Sequence, residues 1–310
     1  MTAVVSRQER AGARRRPLTV IVPTYNEEAN LQECLASVSF ADEILVVDSY
    51  STDDTLAIAR RFGARILQHE YVYSARQKNW AIPQASHEWI LLVDADERVT
   101  PDLREEILEL LSAVPRHEGY WISRTNHFLG RRMRHCGWGS DRVIRLFRRD
   151  LARYRDRKVH AEIDLPGRLP CLRHPLEHHT FRSFAQYLRK MQLYGEWGAA
   201  QMYDEGRRAG ALTILIRPLV RFLKMYLVRL GFLEGAHGLV LSMLGAFSVY
   251  LKYARLWELT LRGGPGSMPP GVEAAGPLVR EQIGRMVDEE GAAGRPADRG
   301  GAFGSSPPQR

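Results

Sequence analysis

The amino-acid sequence predicts an α/β fold with a mostly parallel sheet, followed by a region of helices. Short segments rich in β-branched residues alternate with helix-length segments over residues 18–93, acidic residues stand where the predicted strands end, and residues 183–262 have the apolar spacing of helices. We expect a flexible basic arm over residues 1–16, an α/β domain over 17–182, the helical region over 183–262 and a disordered tail over 263–310.

The predicted strands and helices of the α/β domain alternate along the chain. Because single helices connect the strands, right-handed crossovers should place the carboxyl ends of the strands on one edge of the sheet. Gly63 suits a helix C-terminal cap, and Thr100 with Pro101 suits the start of a fourth helix. The expected strands are residues 18–22, 43–47, 64–67, 89–93, 119–124 and 143–147. Residues 26–28 should lead into the first helix, which runs through residues 31–38, and the next two helices are residues 51–62 and 75–82.

Three carboxylates follow the fourth strand, at Asp94, Asp96 and Glu97. Asp94 and Asp96 would point the same way if the extended backbone continued through them. Two like charges held so close repel one another unless a cation lies between them, and carboxylate oxygens suit Mg²⁺ or Mn²⁺. The pair therefore predicts a metal and diphosphate site. The alternative is a solvated turn, although Thr100 already caps the next helix.

The expected sheet edge gathers both signs of charge. The carboxylates are accompanied by basic residues on the helix before the fourth strand, an arrangement that suits a nucleoside diphosphate bound with a metal ion. Glycine-rich phosphate loops are absent from the sequence, which argues against P-loop and dinucleotide-binding enzymes. The residues concerned are Glu27, Asp48, Asp53, Asp94 and Asp96, with Arg76, Lys78 and Asn79.

Composition restricts the partners and the compartment. The formal charge of +8 favours anionic partners, but the arginines are not interleaved with aromatic residues in a nucleic-acid-binding motif, so we expect no nucleic acid. Three widely separated cysteines argue against a disulfide framework and for a reducing compartment. No apolar stretch of a secretory signal follows the first arginines, so we expect the protein in the cytosol or on the cytosolic face of a membrane.

Four segments resemble, in order and spacing, the family 2 glycosyltransferases with the GT-A fold, a Rossmann-like nucleotide-diphospho-sugar transferase fold. The resemblance covers roughly residues 17 to 165 and is greatest to the lipopolysaccharide core β-glucosyltransferases and their relatives in bacterial cell-surface polysaccharide synthesis. The segments read Val-Pro-Thr-Tyr-Asn-Glu-Glu at 22–28, Val-Val-Asp-Ser-Tyr-Ser-Thr-Asp-Asp-Thr at 46–55, Ala-Arg-Gln-Lys-Asn at 75–79 and Leu-Val-Asp-Ala-Asp-Glu at 92–97.

The resemblance implies roles for individual residues. Arg76 should face the diphosphate, while Asp94 and Asp96 should hold the ribose and a divalent metal. The nucleoside should be held by Pro23, Tyr25, Glu27 and Asp48. Lys78 and Asp53 lie in the same motifs and are counted as nucleotide-sugar-binding candidates.

The resemblance also implies a reaction: inverting transfer of a hexose, with glucose from UDP-glucose favoured, onto a lipid-linked glycan such as lipopolysaccharide core. The metal would stabilise the charge of the departing nucleoside diphosphate. Polyprenyl phosphate or an exopolysaccharide intermediate is an alternative acceptor. A membrane-associated protein that binds a nucleotide sugar without turnover is an alternative of another class.

An inverting transferase needs a general base, and the sequence offers three candidates. We rank Glu162 first, then Asp141, then His160. The related subgroup shows Val-His-Glu, whereas here Ala161 separates the histidine from the glutamate. Asp141 could equally form a salt bridge with a nearby arginine. A zinc site built from Cys171, His174, His178 and His179 is disfavoured, because a second cysteine pair is lacking.

The helical region predicts contact with a membrane surface at the inner face of the bacterial cytoplasmic membrane. We expect a basic amphipathic helix from Pro218 to residue 230, ended by Gly231, Gly235 and Gly238. The charge-free run over 239–251 would be about 20 Å long, shorter than the ~30 Å hydrocarbon core, which argues against a spanning helix. A buried subdomain or a homodimer interface is the alternative. The helix over 183–205 is expected to pack on the α/β domain without a role in the site.

Overall fold

The computed structural model describes residues 15–113, 115–156, 162–181 and 183–263. Most of the predicted basic arm and all but one residue of the predicted tail lie outside the described residues. The end of the arm is described and contacts the α/β domain. Arg15 forms an ion pair with Asp42 at 2.9 Å, and the guanidinium of Arg16 donates to the carbonyl of Ala113 at 2.9 Å.

The first part of the sheet is parallel, and its strands run in the spatial order β3-β2-β1-β4. Single helices connect these strands, as expected of right-handed crossover units. The predicted α/β class is therefore confirmed. The strands are β1 (Leu18–Thr24), β2 (Glu43–Asp48), β3 (Arg65–Gln68) and β4 (Trp89–Leu92), and the helices are α1 (Glu28–Ser37), α2 (Thr55–Arg61) and α3 (Ser74–Ala81).

The second part of the sheet continues from β4 and mixes the two strand directions, in the order β4-β8-β6-β11-β5. Only the pair of β6 with β11 is parallel there, so the complete sheet is mixed. The elements are β5 (Glu97–Val99), α4 (Pro101–Ser112), β6 (Gly119–Phe128), β7 (Arg131–Arg132), β8 (Arg142–Arg148), β9 (Arg153–Tyr154), β10 (Ile163–Asp164) and β11 (Leu176–Phe181). Strands β9 and β10 pair with each other in a separate ribbon.

Both faces of the sheet are covered, which gives the domain a three-layer core. Helices α1 and α4 bury Leu31, Leu35 and Leu103 against one face, and Ile82 after α3 lies in the cluster on the other. Each fully buried aliphatic side chain contributes roughly 1.5–3 kcal/mol. Thr100 caps α4 as predicted, since its hydroxyl accepts from the amide of Leu103 at 3.2 Å.

The helical region differs from the expectation in two places. Pro218 lies inside α6 (Ala211–Leu223) and does not begin a helix, and Gly238 lies inside α7 (Gly235–Leu261) and does not end one. A Cβ added to Gly238 would lie 1.8 Å from the carbonyl oxygen of Gly231, so this glycine permits close backbone packing. Between the two helices are a π-helical turn, Lys224–Val228, and a 3₁₀ turn, Gly231–Glu234. The remaining helix is α5 (Phe184–Asp204).

Helix α7 is much longer than the charge-free run over residues 239–251. Its 27 residues extend for about 40 Å, and by length and composition alone the stretch Gly231–Leu261 could cross a membrane. The argument against a spanning helix from the length of the charge-free run is therefore wrong. That run was only the middle of a helix whose charged residues, Lys252, Arg255 and Glu258, lie in its carboxyl-terminal half.

The helical region packs against the loop that follows β7. Cys136 of this loop shares a buried cluster with Met225 and Leu241. The Glu234 carboxylate, which is buried, accepts hydrogen bonds from the backbone amides of Arg134 at 2.8 Å and His135 at 2.9 Å. The start of α7 is thus fixed to the α/β domain by both apolar contacts and hydrogen bonds.

The Glu43 carboxylate joins three segments of the domain and makes stability dependent on pH. It accepts from the Thr19 hydroxyl at 2.6 Å, the Arg65 guanidinium at 2.8 Å and the Ser86 amide at 2.8 Å. Burial opposes its ionisation, but these donors lower the pKa of Glu43 to about 2. Its stabilising contribution is therefore complete above the unfolded-state pKa of about 4.3 and is lost as the pH falls through about 2.

We expect Glu43→Gln to lower the free energy of unfolding by about 1–3 kcal/mol at pH 7, with the difference from wild type shrinking as the pH falls from 4.5 toward 2. Urea unfolding across this range measures it. Glu109→Gln, which changes an exposed residue on α4, is the control and should remain within about 0.5 kcal/mol of wild type at each pH. A Glu43→Gln deficit that is the same at pH 2 and pH 7 would contradict the assignment.

Candidate active site

Carboxylates from three strand ends meet at one edge of the sheet. Asp48 ends β2, Asp94 and Asp96 follow β4, and Glu27 follows β1. Burial, and then the nearby charge of Asp96, raises the pKa of Glu27 to about 7. The structure thus brings together the acidic residues that the sequence placed on this edge.

Asp48 shapes the loop that follows β2. Its carboxylate is fully buried and accepts from the Thr24 hydroxyl at 3.1 Å, the Ser51 amide at 2.9 Å and the Gln68 amide group at 3.2 Å. Tyr50, two residues after Asp48, has a φ of +62°, a left-handed backbone conformation that is energetically unfavourable for L-residues. These contacts define the backbone at the site where the nucleoside is expected.

The turn after β1 lies beside the same loop. Asn26, with a φ of +50°, accepts the Thr52 amide on its side-chain oxygen at 2.8 Å. Asp53 accepts the amides of Glu28 and Thr55, each at 3.0 Å, one on each carboxylate oxygen. Asp53 therefore connects the starts of α1 and α2 through backbone hydrogen bonds. Pro23, at the end of β1, and Tyr25, just after it, are both partly exposed at this turn.

Asp94 is held between two cations. Lys78 lies 3.0 Å from one carboxylate oxygen, and Arg145 hydrogen-bonds to the other. Desolvation opposes the ionisation of Asp94, but the charges of Arg145 and Lys78 hold its pKa well below the usual range. Protein cations thus already neutralise Asp94 in this structure, and they contact both of its carboxylate oxygens.

Glu97 extends this ion pairing into the interior. It is fully buried and accepts from Arg145 at 2.6 Å, from Arg124 at 3.3 Å and from the backbone amide of Asp94 at 3.0 Å. Removing one partner from such a buried network typically costs 3–5 kcal/mol, because the remaining charge is left uncompensated. Arg145 had no predicted role, although a charged residue inside the apolar strand over 143–147 was a signal that it needed a buried partner.

Asp96 faces a different set of side chains. The Nε2 atom of His178 lies 3.6 Å from its Oδ2, and the Lys190 ammonium lies 4.0 Å from the same oxygen. Burial opposes the ionisation of Asp96, but His178 and Lys190 lower its pKa. From the sequence, His178 was expected in an ordinary loop whose histidines hydrogen-bond or line the acceptor cleft, with a zinc site disfavoured, and Lys190 was expected on a packing helix.

Asn126 fixes the orientation of His178. Its side-chain nitrogen donates to the Trp138 carbonyl at 3.0 Å and to Asp141 at 3.1 Å, so its oxygen must face His178 Nδ1, 2.6 Å away. Nδ1 of His178 therefore carries the proton that Asn126 accepts, and Nε2 is the ring nitrogen that faces Asp96.

The three candidate bases are placed differently. Asp141 lies beside Arg124, whose guanidinium is 2.6 Å from Oδ2, so the salt bridge considered from the sequence is present. Within the described part of the chain, Arg124 and Asn126 both contact this carboxylate at Oδ2. Glu162 is exposed just before β10, and its backbone carbonyl accepts from the Arg155 amide at 2.9 Å. His160 lies outside the described residues.

The two basic residues predicted to bind the diphosphate are also placed differently. Arg76 is exposed on α3, 3.6 Å from Asp156 and with its guanidinium 5.1 Å from the centre of the Tyr73 ring. Lys78 is buried against Asp94. The structure therefore leaves Lys78 within the ion network and Arg76 at the surface.

Comparison with known proteins supports one family. Residues 19–164 match the model of glycosyl transferase family 2. The lipopolysaccharide core biosynthesis glycosyltransferase LpsC of Rhizobium meliloti is 30% identical over 249 residues, covering 78% of this chain and 92% of that protein. An uncharacterised glycosyltransferase of Rickettsia typhi is 27% identical over 257 residues, covering 79% and 88%. The crystal structure of Staphylococcus aureus TarS 1–349 in complex with UDP-GlcNAc is 15% identical, covers 80% and 92%, and has a TM-score of 0.41.

The family match, the LpsC relative and the acidic sheet edge agree with the motifs found in the sequence. The chain therefore belongs to glycosyl transferase family 2, and it is a glycosyltransferase.

Proposed function

We propose that the enzyme transfers a hexose, glucose from UDP-glucose, to a lipid-linked glycan such as lipopolysaccharide core, with inversion and with a divalent metal. The main support for this proposal is a connected set of contacts at the sheet edge. His178 lies beside Asp96, and Asn126 hydrogen-bonds to both His178 and Asp141. The name of the LpsC relative supports the class of acceptor.

The residues at Asp96 fit a divalent cation. Asp96 would supply an oxygen ligand and His178 its Nε2 lone pair, while the diphosphate and water would complete the coordination, as is usual for Mg²⁺ and Mn²⁺. Among the described residues no three acidic, histidine or cysteine side chains form a cluster that could hold a metal ion on its own. When bound, the cation would stabilise the charge of the departing diphosphate as a Lewis acid.

Asp141 is the base that the geometry favours. Arg124 and Asn126 hold Oδ2 and so orient the carboxylate, while Oδ1 is left to accept the proton of the incoming hydroxyl. Asp141 also shares Asn126 with His178, which would align the base with the metal ligands. This reverses the ranking made from sequence, since Glu162 is exposed and has no described side-chain contact that would orient it. Glu162 and His160 remain the alternatives.

Peripheral binding at the inner face of the cytoplasmic membrane fits the helical region. Exposed aliphatic side chains cover α6, whereas Gly238 and Leu241 of α7 are buried toward the α/β domain. Because one side of α7 is fixed to the domain in this way, we favour helices that lie on the bilayer over a helix that crosses it. The exposed side chains of α6 are Leu212, Leu215, Ile216, Leu219, Val220 and Leu223.

The donor and the metal site can be tested together. With Mn²⁺ and a bacterial lipid extract, the purified enzyme should release UDP from UDP-glucose in preference to other UDP-, GDP- and dTDP-sugars. Asp96→Asn should lower kcat/KM by on the order of 100-fold or more, because the metal loses its carboxylate. Asp102→Asn, at an exposed position of α4, is the matched control.

Two results would change this proposal. Tight UDP binding without release in any extract would favour a binding protein that does not turn over. UDP release that requires polyprenyl phosphate but not lipopolysaccharide core would instead identify polyprenyl phosphate as the acceptor.

The base is tested by Asp141→Asn beside Glu162→Gln. We expect Asp141→Asn to lower kcat by roughly 10²–10⁴-fold, while UDP affinity stays within a few fold of wild type, since general-base catalysis acts on the chemical step. Glu162→Gln should keep kcat within a few fold. The opposite pattern in single-turnover kinetics would assign the base to Glu162.

Membrane binding is tested by Leu215→Asp combined with Leu219→Asp, at positions 71% and 56% exposed on α6. The double variant should bind phosphatidylglycerol vesicles at least about tenfold more weakly in sedimentation assays. Leu151→Asp, 41% exposed in the turn before β9, is the control. Unchanged vesicle binding together with a loss of dimer in gel filtration would instead assign this surface to a homodimer.

A further inference from the structure

Lys190 on α5 reaches the acidic edge from outside the segment that the family model matches. Its ammonium lies 4.0 Å from Asp96 Oδ2 and 5.4 Å from the centre of the Phe181 ring. The side chain is 38% exposed, so it is partly open to solvent beside the carboxylate. Sequence periodicity had assigned α5 to packing only.

We propose that Lys190 is a substrate-binding residue, whose ammonium contacts the diphosphate of the bound nucleotide sugar and stabilises the charge that the diphosphate acquires as it leaves. This inference rests on the proposed function, because it assumes a nucleoside diphosphate at Asp96. It adds a residue from the helical region to the site.

The other cations at this edge are already engaged by carboxylates. Lys78 lies 3.0 Å from Asp94, Arg145 binds both Asp94 and Glu97, and Arg124 lies 2.6 Å from Asp141. Turning any of these toward a phosphate would remove an ion-pair partner from at least one carboxylate, which is costly where the pair is buried. A protein cation that contacts the diphosphate beside the expected metal must therefore come from elsewhere in the structure.

Lys190 meets this requirement. A distance of 4.0 Å exceeds that of a hydrogen bond, so the described contact with Asp96 leaves the three ammonium donors available. Arg76 is also exposed, but its described ion pair is with Asp156, at 3.6 Å. Of these cations, Lys190 is the one beside Asp96, the expected metal ligand.

The fold directs Lys190 to this position. Helix α5 begins at Phe184, after Ser183 accepts the Gln186 amide as N-cap, and it follows β11, which carries His178. The face of Phe181 attracts the ammonium and restricts its direction. A lysine ammonium carries its proton near neutral pH, so the group can pair with a phosphate.

A structural counter-ion is the alternative role, in which Lys190 only offsets the charges of Asp96 and Glu27. The two roles differ in which part of the ligand they affect. A phosphate contact strengthens binding of a nucleoside diphosphate but not of the nucleoside. A counter-ion acts on the fold of the edge and should affect both ligands alike.

The experiment is calorimetric titration of the full chain in EDTA and again with Mg²⁺. The ligand is whichever of UDP, GDP and dTDP binds wild type most tightly, compared with its own nucleoside. In both buffers Lys190→Met should weaken diphosphate binding by about tenfold or more and leave nucleoside binding within about twofold. Lys190→Arg should retain most of the affinity, because it keeps the charge. Arg104→Met, at an exposed position of α4, is the control.

The outcomes separate the two proposals. Unchanged diphosphate affinity in Lys190→Met, or equal losses for diphosphate and nucleoside, would overturn the role of Lys190 while leaving the proposed function intact. If none of the three diphosphates binds wild type, the proposed function fails and this inference fails with it.

Discussion

The site depends on the pairing of Arg145 with Asp94 and Glu97. Arg145 and Glu97 are almost entirely removed from water, so their electrostatic attraction is weakly screened. Replacing either side chain would leave the other charge buried without its partner, which is strongly destabilising. The pairing exists because β8 lies antiparallel beside β4, with Leu91 opposite Leu146, so Arg145 lies one residue nearer the end of β4. Asp94 is thereby held in place, and the loop that carries Asp96 begins from a fixed point.

A second set of contacts joins the two chemical halves of the site. Asn126 binds His178 on the expected metal side and Asp141 on the expected base side, and it also binds the carbonyl of Trp138. Trp138 lies in the loop whose backbone amides donate to Glu234 at the start of α7. Because buried polar groups must be satisfied together, the position of this loop depends on the helical region as well as on the sheet.

In our proposal the helical region therefore contributes to catalysis in two separate ways. Helix α5 carries Lys190 to the edge of the sheet beside Asp96, and α6 presents aliphatic side chains to the outside. An enzyme that acts on a lipid-linked acceptor would gain from both, since the acceptor is concentrated at a surface and the donor is a soluble anion. In this proposal the charged site binds the soluble donor, and the apolar surface of α6 binds the membrane that holds the acceptor.

The sequence by itself determined the local elements and the family. Strand and helix periodicity, the Thr100 cap and the carboxylates at the strand ends all follow from near neighbours in the chain, and the four motifs identified the glycosyltransferase family. Only the tertiary structure decided which cations neutralise Asp94, how His178 is oriented, and that α7 runs through Gly238. Arg145 is 51 residues from Asp94, and Lys190 is still more distant from Asp96 in the chain. Such pairings arise from the order of strands and the packing of helices, which local periodicity does not encode.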